Sequence, residues 1–393
     1  MKEIRIGVDI GKTIKQDRGI SVYTWEILRR FKRVSLEEKF KLVLFYYPDR
    51  RPDGNFRLPD VELRQHPYSD SCGPIKTLIC EQIVNPIYQG MAVGLDVLWH
   101  PHNRARLVNP INYVVTLHDV LPLSRPDLAG YLESLRKRLL YWSRTYAARF
   151  ADKIITTSHF SQEEIIKYLG ANPDRVVVIY SGVNREIFKP HKDQEEISEV
   201  KRRYGLPTRY ILTTGSYAPH KNHLSLIEAY RRSNLPKIGV GFVMVGPNDA
   251  SGYRKGYNLV KEEVEKRGLS GRVKVLPSVP LDDLVLFYNG AEFFTTASLY
   301  EGFGLTPLEA MACGVPVIAS RVAAIPEICG DAACYADPNN PMKYAELFDR
   351  LIADTALRHQ LVEKGSIRVK KFDWFETTER TLEVIMSVVN YGK

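Results

Sequence analysis

The sequence predicts an α/β protein made of two doubly wound, Rossmann-like domains with parallel sheets, and three observations predict it. The chain has 393 residues, which suits two domains of ordinary size, each with its own core. Short apolar segments alternate with amphipathic ones, as in the βαβ units that build parallel sheets. Several of these apolar segments end in glycine-rich turns, and such folds bind ligands beyond the carboxyl ends of their strands.

Composition is that of a globular protein, with 44% hydrophobic and 26% charged residues. No apolar run approaches the roughly 18 residues of a membrane span, and no secretory signal precedes the first strand-like segment. The five cysteines form no Cys-x-x-Cys pair, which argues against a disulfide framework or a zinc site and fits a reducing compartment. We therefore expect a cytoplasmic protein.

Positive charge is concentrated in the first half of the chain. Residues 1–190 hold 29 Lys and Arg against 21 Asp and Glu, a net charge of +8, whereas the remainder holds 26 against 25. An anionic membrane surface or an acidic acceptor would fit this excess, as would ordinary solvated surface. No nucleic-acid-binding motif accompanies it, so no nucleic-acid partner is expected.

The first half is predicted to form six strands. They are Ile4–Ile10, Lys41–Tyr47, Val97–Trp99, Tyr113–Leu117, Lys153–Thr157 and Val176–Tyr180. Ile20–Arg30 reads as the helix after the first strand, and residues 50–75 read as irregular. Ser161 is expected to cap a further helix, with Glu164 at the capping-box position.

Tyr131–Phe150 is predicted to be an amphipathic helix with several cations. Core packing with a solvated basic face is favoured over a membrane-surface role for it. Gly11-Lys12-Thr13 lacks the glycine spacing of a P-loop. The phrase around Gly7 and Gly11 resembles the first phosphate loop of actin-like sugar kinases, but no second such motif follows.

The second half repeats the alternation of strands and helices. Its predicted strands are Tyr210–Thr214, Val240–Val245, Val273–Leu276 and Glu292–Thr296, with a helix at Leu224–Arg231 and a last one at Trp374–Val389. A glycine turn follows the first of these strands, and the charged residues 191–204 precede it.

Ser298–Ser320 organises this half as a loop, a short helix and a strand at Val317–Ala319. Thr306 is predicted to cap the helix, with Pro307 at its first position and Glu309 completing a capping box. Gly314 suits the left-handed position after the last turn. The glycines at 302 and 304 let backbone approach a ligand, and a helix start behind such a loop suits a phosphate.

Glu301 and Glu309, with Gly-Phe-Gly-Leu between them, resemble the E-x7-E signature of the retaining glycosyltransferases of family 4. That resemblance implies the GT-B fold, in which two Rossmann-like domains face a deep cleft and the C-terminal helix crosses back to the first. It divides this chain into an acceptor-side domain at 1–190, a nucleotide-sugar domain at 191–372 and the helix at 373–393. Glu301 would then face the donor sugar and Glu309 the ribose.

The resemblance also assigns roles to other positions of this sequence. His118, in Thr-Leu-His-Asp-Val, would reach the donor sugar as a catalytic residue together with Glu301 and Lys221. The donor diphosphate would be bound by Gly19, Gly215, Ser216, His220, Lys221, Phe303, Gly304, Leu305 and Thr306. The nucleobase would be bound at Ser278 and Val279, and the acceptor side would include His102, Arg104 and Asp119. Related sequences often carry an arginine where this one has Ser216 or His220, so Lys221 would take most of the diphosphate charge.

The implied reaction moves a hexose, with retention of configuration, from a nucleoside diphosphate sugar to an acceptor hydroxyl in polysaccharide or glycolipid synthesis. UDP-hexose is favoured over GDP-mannose on family frequency, and the acceptor is a sugar or a lipid-linked glycan with weak peripheral membrane contact. No Asp-x-Asp occurs in the sequence, so no metal or other cofactor is expected. A sugar phosphorylase on the same fold, a glycoside hydrolase using the two glutamates, and a non-catalytic nucleotide-sugar-binding protein are the alternatives.

Overall fold

The computed structural model describes residues 3–11, 19–34, 40–48, 61–68, 76, 79–103, 105–106, 108–129, 141–142, 145–248 and 251–389. The chain divides into two compact units. The first runs to Gly182, apart from a short segment that begins at Arg125, and includes the helix that begins at Trp374. The second is Val183–Asp373 together with that short segment.

The first unit is built on a seven-stranded parallel sheet in the order β3-β2-β1-β4-β5-β6-β7. Its strands are β1 Ile4–Asp9, β2 Phe40–Tyr46, β3 Val61–Gln65, β4 Val97–His100, β5 Asn112–Thr116, β6 Lys153–Thr156 and β7 Val176–Val178. All six predicted strands are present, with ends that shift by one or two residues. The reading of residues 50–75 as irregular missed β3. Among the described residues this strand pairs with β2 alone, at the sheet edge, and it is largely exposed, so its sequence lacks an apolar signal.

Helices cover the sheet of the first unit. They are α1 Gly19–Arg30 and α2 His159–Leu169, with residues 80–92 forming a continuous helical segment of mixed α and π character. The cap prediction for α2 was wrong. Ser158, not Ser161, is the cap, because its extended backbone lets its side chain accept the Ser161 N–H at 3.0 Å. Most of the predicted Tyr131–Phe150 helix lies outside the described residues, and its end forms a 3₁₀ turn at Ala147–Phe150.

The second unit holds a six-stranded parallel sheet in the order β10-β9-β8-β11-β12-β13. Its strands are β8 Arg209–Thr214, β9 Val240–Val245, β10 Val273–Leu276, β11 Phe294–Thr295, β12 Val317–Ser320 and β13 Ala333–Ala336. β9 is buried at every position, as expected of a strand covered by helices on both faces. β13 had no counterpart in the prediction.

Helices alternate with these strands. They are α3 Gln194–Tyr204, α4 His223–Arg232, α5 Ser251–Lys266, α6 Leu281–Asn289, α7 Leu305–Ala312, α8 Ile325–Cys329, α9 Pro341–Ala353 and α10 Thr355–Arg368. The charged residues 191–204 are mostly the helix α3. Asp193 caps it by accepting two backbone N–H groups, and Gly205 ends it in the left-handed conformation.

The last helix, α11 Trp374–Ser387, packs against α1 of the first unit, as the sequence led us to expect. Within the described residues, no helix is long and apolar enough to cross a membrane.

Both sheets have a topological switch point, the place where the strand order reverses and ligands bind beyond the carboxyl ends. In the first sheet it lies between β1 and β4, and in the second between β8 and β11. The segments that follow these four strands are therefore where a site is expected.

Candidate active site

The loop after β11 leads into α7 in a conformation that leaves the start of this helix uncapped. The helix begins at Leu305, and its cap residue is Gly304, at φ 116°. At this backbone angle a side chain would be strained, and a Cβ would lie 2.8 Å from Ile325 Cδ1, so the position favours glycine. The first backbone N–H groups of α7 are thus available to an anion, at the positive end of the helix dipole.

This geometry corrects the predicted helix start. Thr306 lies inside α7 and caps nothing, because the chain enters the helix one residue earlier through Gly304. Glu309 makes no capping box either, since its carboxylate bonds elsewhere. The backbone of Phe303, Gly304, Leu305 and Thr306 nevertheless lies at this helix start, and its predicted contact with a diphosphate stays a prediction. Phe303 is buried and packs edge-on against Phe372, with ring centroids 5.7 Å apart.

Glu301 and Lys221 form an ion pair across the switch point. Lys221 Nζ lies 2.5 Å from Glu301 Oε1, and the two side chains are only 15% and 16% exposed. Ser298 donates its hydroxyl to the same oxygen at 2.7 Å. Burial alone would raise the pKa of Glu301, but Lys221, His220 and the hydrogen bonds hold it below its ordinary value. Two residues predicted to face different parts of the donor thus neutralise each other here.

Lys221 is positioned by the turn that follows β8. Gly215, at φ 128°, lets the lysine side chain pass within 3.5 Å of where a Cβ would stand. Lys221 then ends a 3₁₀ turn, Pro219–Lys221, whose cap Asn222 is left-handed. The carbonyl of Ser216 faces His223 Nε2 at 3.0 Å. These contacts direct the ammonium group toward Glu301 and the loop that leads to α7.

His220 adds no positive charge to this group at neutral pH. Burial, and then the charge of Lys221, lower its pKa to about 4. Its buried Nδ1 has no hydrogen-bond partner among the described residues, and its carbonyl accepts the Leu299 N–H at 2.7 Å. The neutral imidazole is therefore a hydrogen-bonding group, and Lys221 carries the fixed charge.

Glu309 lies within α7, and its carboxylate meets Tyr288 of α6. The Tyr288 hydroxyl donates to Glu309 Oε2 at 2.8 Å and lies 2.7 Å from the Thr214 hydroxyl at the end of β8. Burial raises the pKa of Glu309 to about 7, although Tyr288 and Lys221 oppose the rise. Sequence reasoning missed Tyr288, since nothing local marks it as more than an apolar helix residue.

Ser278 and Val279 follow β10, the outermost strand on this side of the sheet. Ser278 is exposed and Val279 half-buried. β10 lies two strands from β8, so these residues are at the same edge of the sheet as Lys221 but not beside it. Their assignment to a nucleobase stays a prediction.

His118 follows β5 of the first unit and is neutral. Burial lowers its pKa to about 4. Its Nε2 lies 3.0 Å from the Pro101 carbonyl, which can only accept, so Nε2 carries the proton and Nδ1 is left as an acceptor. Tyr23 of α1 packs edge-on against the ring at 4.7 Å. His118 is thus arranged to accept a hydrogen bond, for example from a sugar hydroxyl, rather than to donate a proton.

Asn103, which the sequence analysis overlooked, holds the turn at His118. Its Oδ1 accepts the His118 N–H at 2.7 Å, and its Nδ2 donates to the Asp119 carbonyl at 3.1 Å. The Asp119 carboxylate accepts the Leu121 N–H at 3.2 Å and so starts the next helical turn. The Asp119 side chain therefore stabilises this turn, and its role on the acceptor side stays a prediction.

A second polar group, which we call the Asp9 cluster, lies at the switch point of the first sheet. Asp9 is the last residue of β1. Its Oδ2 lies 2.8 Å from Arg106 Nη2, 3.1 Å from His66 Nε2 and 3.4 Å from His100 Nε2. Burial alone would raise the pKa of Asp9, but these three neighbours hold it well below its usual range. Sequence reasoning did not single out Asp9 or His66, which are 57 residues apart.

His102 is also buried here and stands beside His100, with ring centroids 5.3 Å apart. Together with Asp9, His100 and Arg106 it lines a small cleft. Arg104 lies outside the described residues. Gly19 is exposed at the start of α1, and the residues just before it are likewise outside the described part of the chain.

Comparisons with known proteins agree with this architecture. A family model described as "Glycosyl transferases group 1" matches residues 193–368, and one described as "Glycosyltransferase Family 4" matches residues 18–187. The chain is 29% identical over 382 residues to the O-antigen chain mannosyltransferase B of Escherichia coli, covering 93% of this chain and 94% of that protein.

Two solved structures have similar folds at low sequence identity. Sucrose-phosphate synthase from Thermosynechococcus elongatus matches with a TM-score of 0.79 and 19% identity over 98% of this chain and 99% of that one. Anabaena HepE, solved with UDP and glucose, matches with a TM-score of 0.73 and 19% identity over 98% and 100%.

Proposed function

Because this chain belongs to glycosyltransferase family 4 and has the GT-B fold, we propose that it transfers a hexose, with retention of configuration, from a nucleoside diphosphate sugar to a hydroxyl of a glycan acceptor. The observation that carries the proposal is the group of Lys221, Glu301 and the uncapped start of α7 at one switch point. Together they offer a cation and free N–H groups to a diphosphate, and a carboxylate to sugar hydroxyls.

Donor binding exchanges the partners of Lys221 in this proposal. The ammonium group of Lys221 leaves Glu301 and pairs with the diphosphate. The diphosphate also accepts hydrogen bonds from the N–H groups at the start of α7. Glu301, still held by Ser298, is then free to accept hydrogen bonds from the sugar. Negative charge develops on the leaving phosphate as the bond to the sugar breaks, where Lys221 and the helix dipole stabilise it.

The proposed chemical step takes place on one face of the sugar. The acceptor oxygen forms a bond to the anomeric carbon as the bond from that carbon to the phosphate oxygen breaks. The acceptor proton passes to the leaving phosphate oxygen. Glu301 is engaged by Lys221 and Ser298 in the free protein, which favours a hydrogen-bonding role over attack on the sugar.

The sugar and base of the donor are a finer part of the proposal. Family frequency favours a UDP-hexose, whereas the similarity to a mannosyltransferase over nearly the whole chain favours mannose and hence GDP-mannose as the donor. We give the mannosyl donor preference, because the similarity spans both units. The diphosphate contacts proposed above are the same for either base.

We also propose that the reaction needs no metal ion, since Lys221 and the N–H groups of α7 supply the positive charge that a metal would otherwise provide. Measurement of the transfer activity in EDTA and in added magnesium tests this.

Weak contact of the first unit with a membrane surface is proposed for the acceptor side. Trp142, Tyr146 and Phe150, spaced four residues apart, are all exposed, and the Arg149 guanidinium lies 4.9 Å from the Tyr146 ring centroid. Aromatic rings and cations in this arrangement suit a bilayer interface. The net charge of +8 in residues 1–190 favours an anionic one.

A panel of nucleotide sugars tests the proposal. Wild-type protein and Glu301→Gln are incubated with UDP-glucose, UDP-galactose, GDP-mannose and GDP-fucose, together with a set of sugar acceptors, in EDTA or in magnesium. We expect release of one nucleoside diphosphate by the wild-type protein, a large loss in Glu301→Gln, and a product whose anomeric configuration by NMR matches the donor. An inverted product would refute retention. Turnover only with inorganic phosphate would indicate a phosphorylase, and binding of a donor without any turnover would indicate a binding protein.

A further inference from the structure

Tyr288 is a fully buried residue whose hydroxyl points at a predicted ligand-binding group. It lies on α6, and its ring packs against Phe188 and Phe294, with centroids 5.9 and 5.8 Å away. The hydroxyl bridges Thr214, at the carboxyl end of β8, and Glu309, on α7. A buried phenol normally finds a polar partner, but here both partners lie at the switch point of the second sheet.

The hydroxyl has one proton, and this determines the direction of the chain of hydrogen bonds. When Glu309 is ionised, Tyr288 donates to Oε2, so the Thr214 hydroxyl must donate to Tyr288. When Oε2 carries a proton, it donates to Tyr288, and Tyr288 donates to Thr214. In the first direction every hydroxyl proton has an acceptor, whereas in the second the Thr214 proton has none among the described residues, so these hydrogen bonds favour the ionised carboxylate.

We propose that Tyr288 is a positioning residue for Glu309, which fixes Oε2 so that Oε1 faces the ribose hydroxyls and favours the ionised form that binds them. This inference rests on the proposed function, because it needs a nucleotide ribose at Glu309. It adds a residue that neither the sequence motif nor the family comparison singles out.

The groups around Glu309 make this protonation relevant near neutral pH. The Tyr288 hydroxyl from α6 and Lys221 from the turn after β8 lower its pKa, and Cys313, just beyond α7, is a further titratable neighbour. The Cys313 thiol is neutral, since burial raises its pKa to about 12. Burial raises the pKa of Glu309 to about 7, and Tyr288 is first among the groups that lower it.

The consequence is a nucleotide affinity that depends on pH. Charge-assisted hydrogen bonds to an ionised carboxylate are about twice as strong as neutral ones, so donor affinity should fall as pH falls through about 7. Tyr288→Phe removes the bond that favours the ionised form. We expect the midpoint of the plot of affinity against pH to move upward by about one pH unit, which lowers the ionised fraction of Glu309, and with it the affinity, about fivefold at neutral pH and less at high pH.

The experiment is calorimetric titration of the full chain with UDP-glucose and GDP-mannose between about pH 5.5 and 8.5. Nucleotide sugars are used because their diphosphate has no ionisation in this range. Wild type is compared with Tyr288→Phe and with Thr214→Val, which removes the Thr214 hydroxyl that bonds to Tyr288. Tyr230→Phe is the matched control, because it also removes a fully buried hydroxyl of the second unit, one that donates to the Val240 carbonyl at 2.8 Å.

An upward shift of the midpoint in Tyr288→Phe, with none in Tyr230→Phe, supports the proposal. Glu309→Gln should bind weakly, with an affinity that no longer changes with pH. A donor that binds wild type with the same affinity at every pH, or with a midpoint that Tyr288→Phe leaves in place, overturns this inference and leaves the proposed function standing. If no nucleotide sugar binds at any pH, the proposed function fails and this inference with it.

Discussion

Removal of Lys221 is the most direct test of the site, because the structure places its ammonium group against a buried carboxylate. In Lys221→Ala, Glu301 keeps its hydrogen bond from Ser298 but loses the charged group that lowers its pKa most. We expect the second unit to become less stable, even before any donor is added.

The size of the loss follows from the geometry. The two charges are 2.5 Å apart, with side chains 15% and 16% exposed. Removing one partner from a buried ion pair costs about 3–5 kcal/mol, because the other charge is left uncompensated. Ser298 and the remaining solvent access lessen this, so we expect about 3 kcal/mol, which corresponds to roughly a hundredfold change in an opening equilibrium.

The assay must report on the second unit alone, because a chain of two units need not unfold in one step. All four tryptophans (Trp25, Trp99, Trp142 and Trp374) belong to the first unit, so their fluorescence does not serve. Cys329 is fully buried in α8 of the second unit. Its labelling by a disulfide reagent, resolved by mass spectrometry, measures how often that unit opens.

The loss of stability in Lys221→Ala should depend on pH with a defined sign. A carboxyl whose pKa is depressed in the folded state stabilises the fold above its unfolded pKa, and this stability is lost as pH falls through the folded value. Without Lys221, we expect burial to raise the pKa of Glu301. Protonation at low pH then removes the unpaired negative charge and reduces the loss of stability in the variant. The labelling ratio of Lys221→Ala to wild type should therefore shrink between about pH 8 and pH 5.

Two further variants make the result interpretable. Lys221→Ala combined with Glu301→Gln should label more slowly than Lys221→Ala, because the unpaired charge is gone. Lys343→Ala breaks an exposed pair with Glu346 in the same unit, where the side chains are 51% and 60% exposed, and should change labelling little. If Lys221→Ala labels no faster than Lys343→Ala, the buried ion pair contributes nothing and the reasoning is refuted.

Three other outcomes are expected. Glu301→Gln should lower kcat more than donor affinity. Glu309→Ala should weaken donor binding without the loss of helix stability expected on removal of a capping residue. Equal losses of free nucleotide affinity in the two variants would contradict the two roles. The His118 ring should stay neutral down to about pH 5, because burial lowers its pKa to about 4, and an NMR titration assigned with His118→Asn should show no midpoint near 6.5. The protein should cosediment with anionic vesicles at low salt and not at high salt, each cation near the surface contributing about 1 kcal/mol; no sedimentation at low salt would indicate ordinary solvated surface.

Much of the fold could be predicted from local patterns. β9 and β10 were predicted with the observed bounds, because a run of apolar residues between turns has few other interpretations. β3 and the start of α7 were not. An exposed edge strand carries no apolar run, and α7 begins at Leu305 behind a left-handed Gly304 rather than behind a side-chain cap.

The sequence by itself determined the alternation of strands and helices, the glycines at Gly215 and Gly304, and the spacing of Glu301 and Glu309, because each depends on neighbours along the chain. Only the tertiary structure decided which of these groups meet. Lys221 reaches Glu301 from 80 residues away, and Tyr288 reaches Glu309 from another helix. The physical reason is that the order of strands in each parallel sheet sets which turns are neighbours at its carboxyl edge, and burial there sets which side chains are charged.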